Sequence, residues 1–162
     1  HARAQYGIER IAVLDFDVHH GNGSQAIFED DPNTLFISSH QHPFYPGTGQ
    51  ASETGCGNVL NLPLDAGEGS DAFRSAWKDH AFPRLKGFKP ELILVSAGFD
   101  GHAADPLGGL KLLDEDFDWI GANIMDQADA LSAGRMISIL EGGYDLKSLG
   151  SASASYVSRL TR

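Results

Sequence analysis

The strongest constraint on the fold is a regular alternation of short apolar runs with segments of helical periodicity. Five runs are rich in β-branched or large apolar residues and have the length of strands. They are residues 11–16, 34–38, 59–64, 92–97 and 136–140. Several are apolar on both faces, which is typical of parallel strands buried between two layers. The alternation therefore predicts an α/β fold in which a parallel sheet carries helices on both faces.

The segments between these runs predict helices. Residues 70–85 space their apolar side chains as a helix does, and Pro83 predicts a kink or break within that segment. The clearest helical pattern extends over about 115–131, where Asp114 is the expected N-cap and Gly134 suits the exit. A last helix is expected after the fifth apolar run.

The chain has the size of one domain. Its 162 residues contain no internal repeat or linker, so we expect a single domain over residues 1–162. The sequence opens within what reads as a helix, HARAQYG, and ends within another helical pattern. We therefore expect it to be a portion of a longer protein, incomplete on its N-terminal side, with completeness of its C-terminal side left open.

The composition indicates which binding partners and which cellular compartment suit the protein. The chain carries 22 acidic against 12 basic residues, a net charge of -10, which disfavours direct binding to nucleic acid and suits a cationic substrate. Cys56 is the only cysteine, so a reducing compartment is expected. Because the sequence shows neither a signal peptide nor a membrane-spanning apolar run, we expect a cytoplasmic location without a membrane partner. A homo-oligomer is left open.

Polar side chains collect directly after three of the predicted strands. Asp15, Asp17 and His19 alternate onto one side of the first strand end. Asp100 and Tyr144 follow the fourth and fifth strands, and the carboxyl ends of parallel strands share one edge of a sheet. Any one of these residues alone is more often a turn or helix cap. Together, two carboxylates and an imidazole predict a metal site with an open position, suited to zinc and compatible with iron or cobalt.

Four stretches resemble successive signatures of the histone deacetylase superfamily, in particular its class II and bacterial deacetylase-like branch. They are DFDVHHGNGSQ (15–25), PFYPGTG (43–49), SAGFDGHAADPLGG (96–109) and LEGGYDL (140–146). The resemblance runs through nearly the whole chain in family order. It implies the three-layer arginase–deacetylase fold and zinc-dependent hydrolysis of an acetylated amine, either acetyl-lysine in a protein or a small amine such as an acetylpolyamine.

The resemblance also implies the roles of individual residues. It makes Asp17, His19 and Asp100 the zinc ligands, and it makes Tyr144 the residue that donates a hydrogen bond to the developing oxyanion. Asn22 stands where the class I branch has an acid, as is usual in class II. A monovalent cation, usually potassium, is implied at Asp15, Asp17, His19 and Ser38. The walls of a narrow acyl-lysine channel are implied at Tyr45 and Leu107.

The histidines mark a departure from the family pattern. Family members carry a His-His pair within Gly-His-His-Ala, well upstream of the metal motif, and these 162 residues hold no such stretch. Because the resemblance makes His19 a metal ligand, His19 and His20 do not replace that pair. We expect His40 and His42 at the rim of the site and His80 on a helix face. Without the pair, we expect the 162 residues alone to be nearly silent in catalysis.

Two other functions stay open beside a zinc deacetylase. One is a non-catalytic metal-binding or interaction protein of the same fold, in which the His-His pair has been lost. The other is a manganese ureohydrolase such as arginase. The second is disfavoured because that family needs an Asp-Ala-His-x-Asp stretch and a further Asp pair, and neither is present.

Overall fold

A five-stranded, wholly parallel sheet forms the centre of the molecule, in the order β3-β2-β1-β4-β5. The computed structural model describes residues 1–161. The strands are β1 (Ile11–Asp15), β2 (Thr34–Gln41), β3 (Val59–Leu64), β4 (Leu92–Ala97) and β5 (Met136–Leu140). The predicted bounds are confirmed for β3, β4 and β5. β1 ends one residue earlier than predicted, and β2 continues three residues further.

Over the described residues 1–161, six α-helices and one π-helical segment accompany the sheet. They are α1 (Ala2–Tyr6), α2 (Asn22–Phe28), α3 (Ser70–Ala76), the π segment (Trp77–Ala81), α4 (Phe82–Phe88), α5 (Asp114–Ser132) and α6 (Leu146–Leu160). The last helix therefore lies where the sequence predicts it. Within residues 1–161, no helix has both the length and the apolar character that crossing a bilayer requires.

The two faces of the sheet are covered unequally. On one face, α3 to α6 bury a large apolar cluster that includes Trp77, Phe117 and Tyr156. On the other face, Val13 and neighbouring apolar residues form a small cluster against Phe28 of α2. Helices on both faces of a parallel sheet confirm the predicted fold class. The β5 edge strand is less covered, and Ile137 and Ile139 on it are each 53% exposed.

The prediction that His40 lies at the rim of the site is wrong. His40 belongs to β2 and is fully buried. Its Nε2 lies 2.8 Å from the carbonyl oxygen of Gly49, which can only accept, so Nε2 carries the proton. Its Nδ1 then accepts from the Ser38 hydroxyl at 2.9 Å. Because both ring nitrogens are satisfied, this polar end of β2 can be buried. His42 is half-buried just beyond β2, and His80 is exposed in the π segment.

Two details of the helices also differ from the predictions. The helical segment from residue 70 continues to Phe88, and its α-helical pattern is interrupted before Pro83 rather than at it. A proline ring clashes with the carbonyl four residues earlier, and the wider π turn directly before it leaves that carbonyl room. Asp114 is the first residue of α5 and not its N-cap. Leu113 takes that position, and its backbone N–H donates to Asp116 Oδ2 at 2.9 Å.

Candidate metal centre

Three metal-competent side chains meet at the carboxyl edge of the sheet. Asp17 and His19 follow β1, and Asp100 follows the neighbouring β4. One potential ligand atom from each of the three lies within 4.8 Å of the other two. Asp100 is fully buried, whereas Asp17 and His19 are partly exposed. The predicted ligand residues are therefore brought together, with one side of the cluster open to solvent.

The imidazole of His19 is held against both carboxylates. Its Nδ1 lies 3.0 Å from Asp17 Oδ1 and 3.1 Å from Asp100 Oδ2. Its ring stacks on Phe44, with the centroids 5.2 Å apart and the planes 18° apart, and meets the edge of Tyr45 at 6.2 Å. Nδ1 is therefore the nitrogen that a shared cation would use.

Backbone N–H groups fix the carboxylates of Asp17 and Asp100. Asp100 Oδ1 accepts from the N–H of Val18 at 2.9 Å. Asp17 Oδ1 accepts from the N–H of His19 at 2.8 Å, and its Oδ2 accepts from that of Gly142 at 2.9 Å. Such bonds to carboxylates are short and strong, so they hold the orientation of both side chains.

The charges of this cluster favour a cation. Burial and the negative charge of Asp17 raise the pKa of Asp100 to about 7. Burial, opposed in part by the Asp17 backbone N–H, raises the pKa of Asp15 well above its usual range. Two close carboxylates repel each other unless a proton or a metal compensates them. Two carboxylates and one imidazole are a donor set that fits zinc, so the residues present fit the implied metal.

The residues implied for a monovalent cation lie beneath this cluster. Asp15 is buried at the end of β1, and its Oδ1 accepts from the N–H of Asp17 at 3.0 Å. Ser38 is the β2 residue in register with Asp15. Its hydroxyl donates to His40 Nδ1, and the oxygen keeps its lone pairs, so both the side chain and the backbone of Ser38 can contribute there.

Tyr144 stands at the mouth of the site. It follows β5 and, together with Asp17 and His19, lines a cavity of about 410 Å³. Its side chain is 54% exposed. The pKa of the Tyr144 hydroxyl is raised, mainly by partial burial and to a smaller extent by the negative charges of Asp100 and Asp17. Tyr144 therefore keeps its proton near neutral pH and remains a hydrogen-bond donor.

The other predicted site residues lie around the metal cluster and are largely exposed. Tyr45 is 76% exposed and reaches the site through its contact with His19. Leu107 is 50% exposed in the loop after Asp100. Asn22 is exposed at the first turn of α2, and its backbone N–H donates to the carbonyl of His20 at 2.8 Å.

Gly142 is a further residue of the site, and its role lies in the close approach of its backbone to two carboxylates. A Cβ built at this position would overlap the Asp100 carboxylate and lie 2.6 Å from Asp17 Oδ2. Only glycine lets this backbone approach both ligands closely enough to donate to one of them. The signal available in the sequence was the Gly-Gly pair directly before Tyr144.

If this cluster holds zinc, the implied metal, Gly142→Ala is expected to weaken its binding. The added methyl group must displace one of the two carboxylates, and overpacking of this kind costs about 1–3 kcal/mol, or ~5- to 150-fold in affinity. A competition titration against a chelator measures this change. Gly150→Ala is the matched control, because a Cβ there meets nothing within 4 Å. Equal zinc affinity in the two variants would contradict the packing assigned to Gly142.

Comparison with known proteins finds relatives over nearly the whole chain. The family model described as histone deacetylase domain matches residues 1–160. The chain is 46% identical over 158 residues to histone deacetylase 10, chloroplastic, from Oryza sativa subsp. japonica, covering 95% of this chain and 36% of that protein. It is 43% identical over 148 residues to the histone deacetylase-like amidohydrolase of Pseudomonas aeruginosa, covering 88% of this chain and 39% of that protein.

A solved structure shares the fold. The structure of the histone deacetylase Clr3 superposes with a TM-score of 0.91 at 33% identity, covering 98% of this chain and 28% of that one. The chain thus spans well under half the length of the relatives named here. The family model matches nearly the whole chain and the fold is shared, so the chain belongs to the histone deacetylase family.

Proposed function

We propose that this chain forms the metal-binding part of a zinc-dependent deacetylase that hydrolyses an acetylated amine and releases acetate. Relatives named as deacetylases and as a deacetylase-like amidohydrolase support hydrolysis as the class of reaction. The observation that carries the proposal is the meeting of the Asp17, His19 and Asp100 ligand atoms within 4.8 Å. Tyr144 lines the same cavity as two of them.

The proposed zinc ligands are one carboxylate oxygen each from Asp17 and Asp100, and Nδ1 of His19. Three protein ligands leave a coordination position open for substrate and water. When bound, zinc supplies Lewis-acid polarisation of the acyl carbonyl and lowers the pKa of water toward ~7. For the monovalent cation we propose the surroundings of Asp15, with backbone groups of Asp17, His19 and Ser38.

The chain's own residues then orient and stabilise the substrate. The Tyr144 hydroxyl, whose raised pKa keeps it protonated, donates a hydrogen bond to the acyl oxygen as that oxygen gains negative charge. Phe44, stacked on His19, and the exposed ring of Tyr45 offer an aromatic wall beside the metal ligands. An aliphatic stem such as that of acetyl-lysine fits such a wall. The net charge of -10 favours a substrate with further positive charge.

Protonation of the leaving amine is not assigned to either buried histidine of this site. His20 Nδ1 and Nε2 lie 2.8 Å from Thr48 Oγ1 and Gln25 Oε1, so both nitrogens are engaged. His40 is likewise saturated, and burial lowers its pKa to about 4. General acid–base catalysis contributes ~100- to 10,000-fold. We therefore still expect these 162 residues alone to release acetate only slowly.

Acetate release by the complete protein, with whatever sequence precedes and follows these residues, tests the proposal. The substrates are an acetyl-lysine peptide and an acetylpolyamine, offered to protein stripped of metal and then reconstituted with zinc. We expect zinc-dependent acetate release from at least one substrate. Stoichiometric zinc without acetate release would favour a non-catalytic metal-binding protein. Manganese-dependent release of urea from arginine would favour a ureohydrolase.

A further inference from the structure

The carboxylate of Asp105 joins the two loops that carry Asp100 and Tyr144. Its Oδ1 accepts from the N–H of Leu107 at 2.9 Å, within its own loop. Its Oδ2 accepts from the N–H of Tyr144 at 2.7 Å and from that of Asp145 at 3.2 Å, in the loop after β5. Asp105 therefore holds the backbone of Tyr144, the proposed oxyanion donor, against a second loop. That loop supplies a proposed metal ligand, Asp100, and an implied channel residue, Leu107.

The burial of Asp105 strengthens these hydrogen bonds. The residue is only 6% exposed. Bonds from backbone N–H groups to a buried carboxylate are short and about twice as strong as bonds between neutral groups. If the carboxylate is lost, up to three backbone N–H groups lose their acceptor in a place where water reaches poorly.

The Tyr144 side chain has little else to fix it. It is more than half exposed, so its direction depends largely on its backbone. The preceding Gly143 has a φ of 143°, a conformation that side chains with a Cβ rarely adopt. Before Gly143, the N–H of Gly142 donates to Asp17. After it, the N–H of Tyr144 donates to Asp105. The turn that presents Tyr144 is thus anchored at both ends by carboxylates of the site.

We propose that Asp105 is a positioning residue that sets the Tyr144 hydroxyl over the metal ligands. This inference rests on the proposed deacetylase function. Asp105 acts through Tyr144 and contacts neither the substrate nor the proposed metal. Its removal therefore affects the chemical step and leaves metal loading in place. A displacement of about 1 Å in a catalytic group is worth on the order of 100-fold in rate.

A double-mutant cycle in the complete protein separates positioning from general stability. The variants are Asp105→Asn, Tyr144→Phe and the two combined. Asparagine keeps the shape but loses the charge and one acceptor oxygen. We expect Asp105→Asn to lower kcat ~10- to 100-fold with KM and zinc content near those of the unmodified protein. In the Tyr144→Phe background, the same change is expected to lower kcat by less than about 3-fold, because coupled residues are not additive.

Two further variants keep the inference testable if Asp105→Asn loses stability. Asp116→Asn is the matched control, since Asp116 is another buried aspartate that accepts from a backbone N–H, that of Leu113, but at the start of α5. It is expected to lower the unfolding midpoint without changing kcat. Asp105→Glu retains the charge and both acceptor oxygens, and it is expected to recover part of the kcat lost in Asp105→Asn.

Several outcomes would overturn the inference. An equal fall of kcat in both backgrounds would show that Asp105 does not act through Tyr144. Loss of zinc in Asp105→Asn, or a kcat loss in Asp116→Asn matching that in Asp105→Asn, would indicate a general structural role. Failure of the proposed function looks different, because Tyr144→Phe would then keep normal turnover or the unmodified protein would release no acetate.

Discussion

Tyr144→Phe is expected to lower turnover ~100- to 1000-fold while zinc content and fold persist, because one oxyanion donor is removed and the ring remains. The hydroxyl is the only group lost. The backbone N–H of Tyr144 still donates to Asp105, and the exposed ring has little packing to disturb. The fall should therefore be seen in kcat, with KM changed much less.

Tyr6→Phe is the matched control for this change. Tyr6 is also an exposed tyrosine, at 73%, but it lies on α1, away from the metal centre. Its variant is expected to keep normal turnover. Near-normal turnover in Tyr144→Phe, with zinc content unchanged, would show that the Tyr144 hydroxyl does not stabilise the oxyanion.

Asp100→Ala or His19→Ala is expected to abolish both zinc binding and acetate release. Removing one of three protein ligands leaves too few for a catalytic zinc site. Asp100→Ala also leaves the N–H of Val18 without its carboxylate acceptor, so some stability is lost as well. Asp100→Asn separates the two effects, because it keeps an acceptor for that N–H while removing the ligand charge. Zinc content by mass spectrometry and acetate release are measured on each variant.

Asp114→Ala is the control for the loss of an acidic side chain near a histidine. Asp114 Oδ1 lies 3.5 Å from His102 Nε2, and this pair is not among the proposed ligands. Its variant should retain zinc and activity. Stoichiometric zinc retained in Asp100→Ala would contradict the ligand assignment.

The sheet was largely predictable from the sequence because its strands are continuous apolar runs between polar turns. The apolar runs of β3, β4 and β5 give the bounds of these strands directly. β2 was predicted too short because its end, SHQ, is polar and does not read as a buried strand. Its burial depends on partners such as Gly49, which the alternation of apolar and polar residues cannot reveal.

The positions of the proposed ligand residues were predictable for a different reason. Each follows a strand of a parallel sheet, so strand order alone brings them to one edge. The supporting contacts were not predictable, because they join residues far apart in sequence. Gly142 donates to Asp17 across 125 residues, and Tyr144 donates to Asp105 across 39. Neither pair has a spacing that local periodicity could indicate.

Zinc stoichiometry and acetate release, measured on the same preparation of the complete protein, test the central claim most directly. We expect about one zinc per chain in the ligand site and acetate release that rises and falls with zinc content. In Asp100→Asn, both should be lost together. Full acetate release by protein freed of divalent metal, or unchanged zinc affinity in Asp100→Asn, would contradict the account.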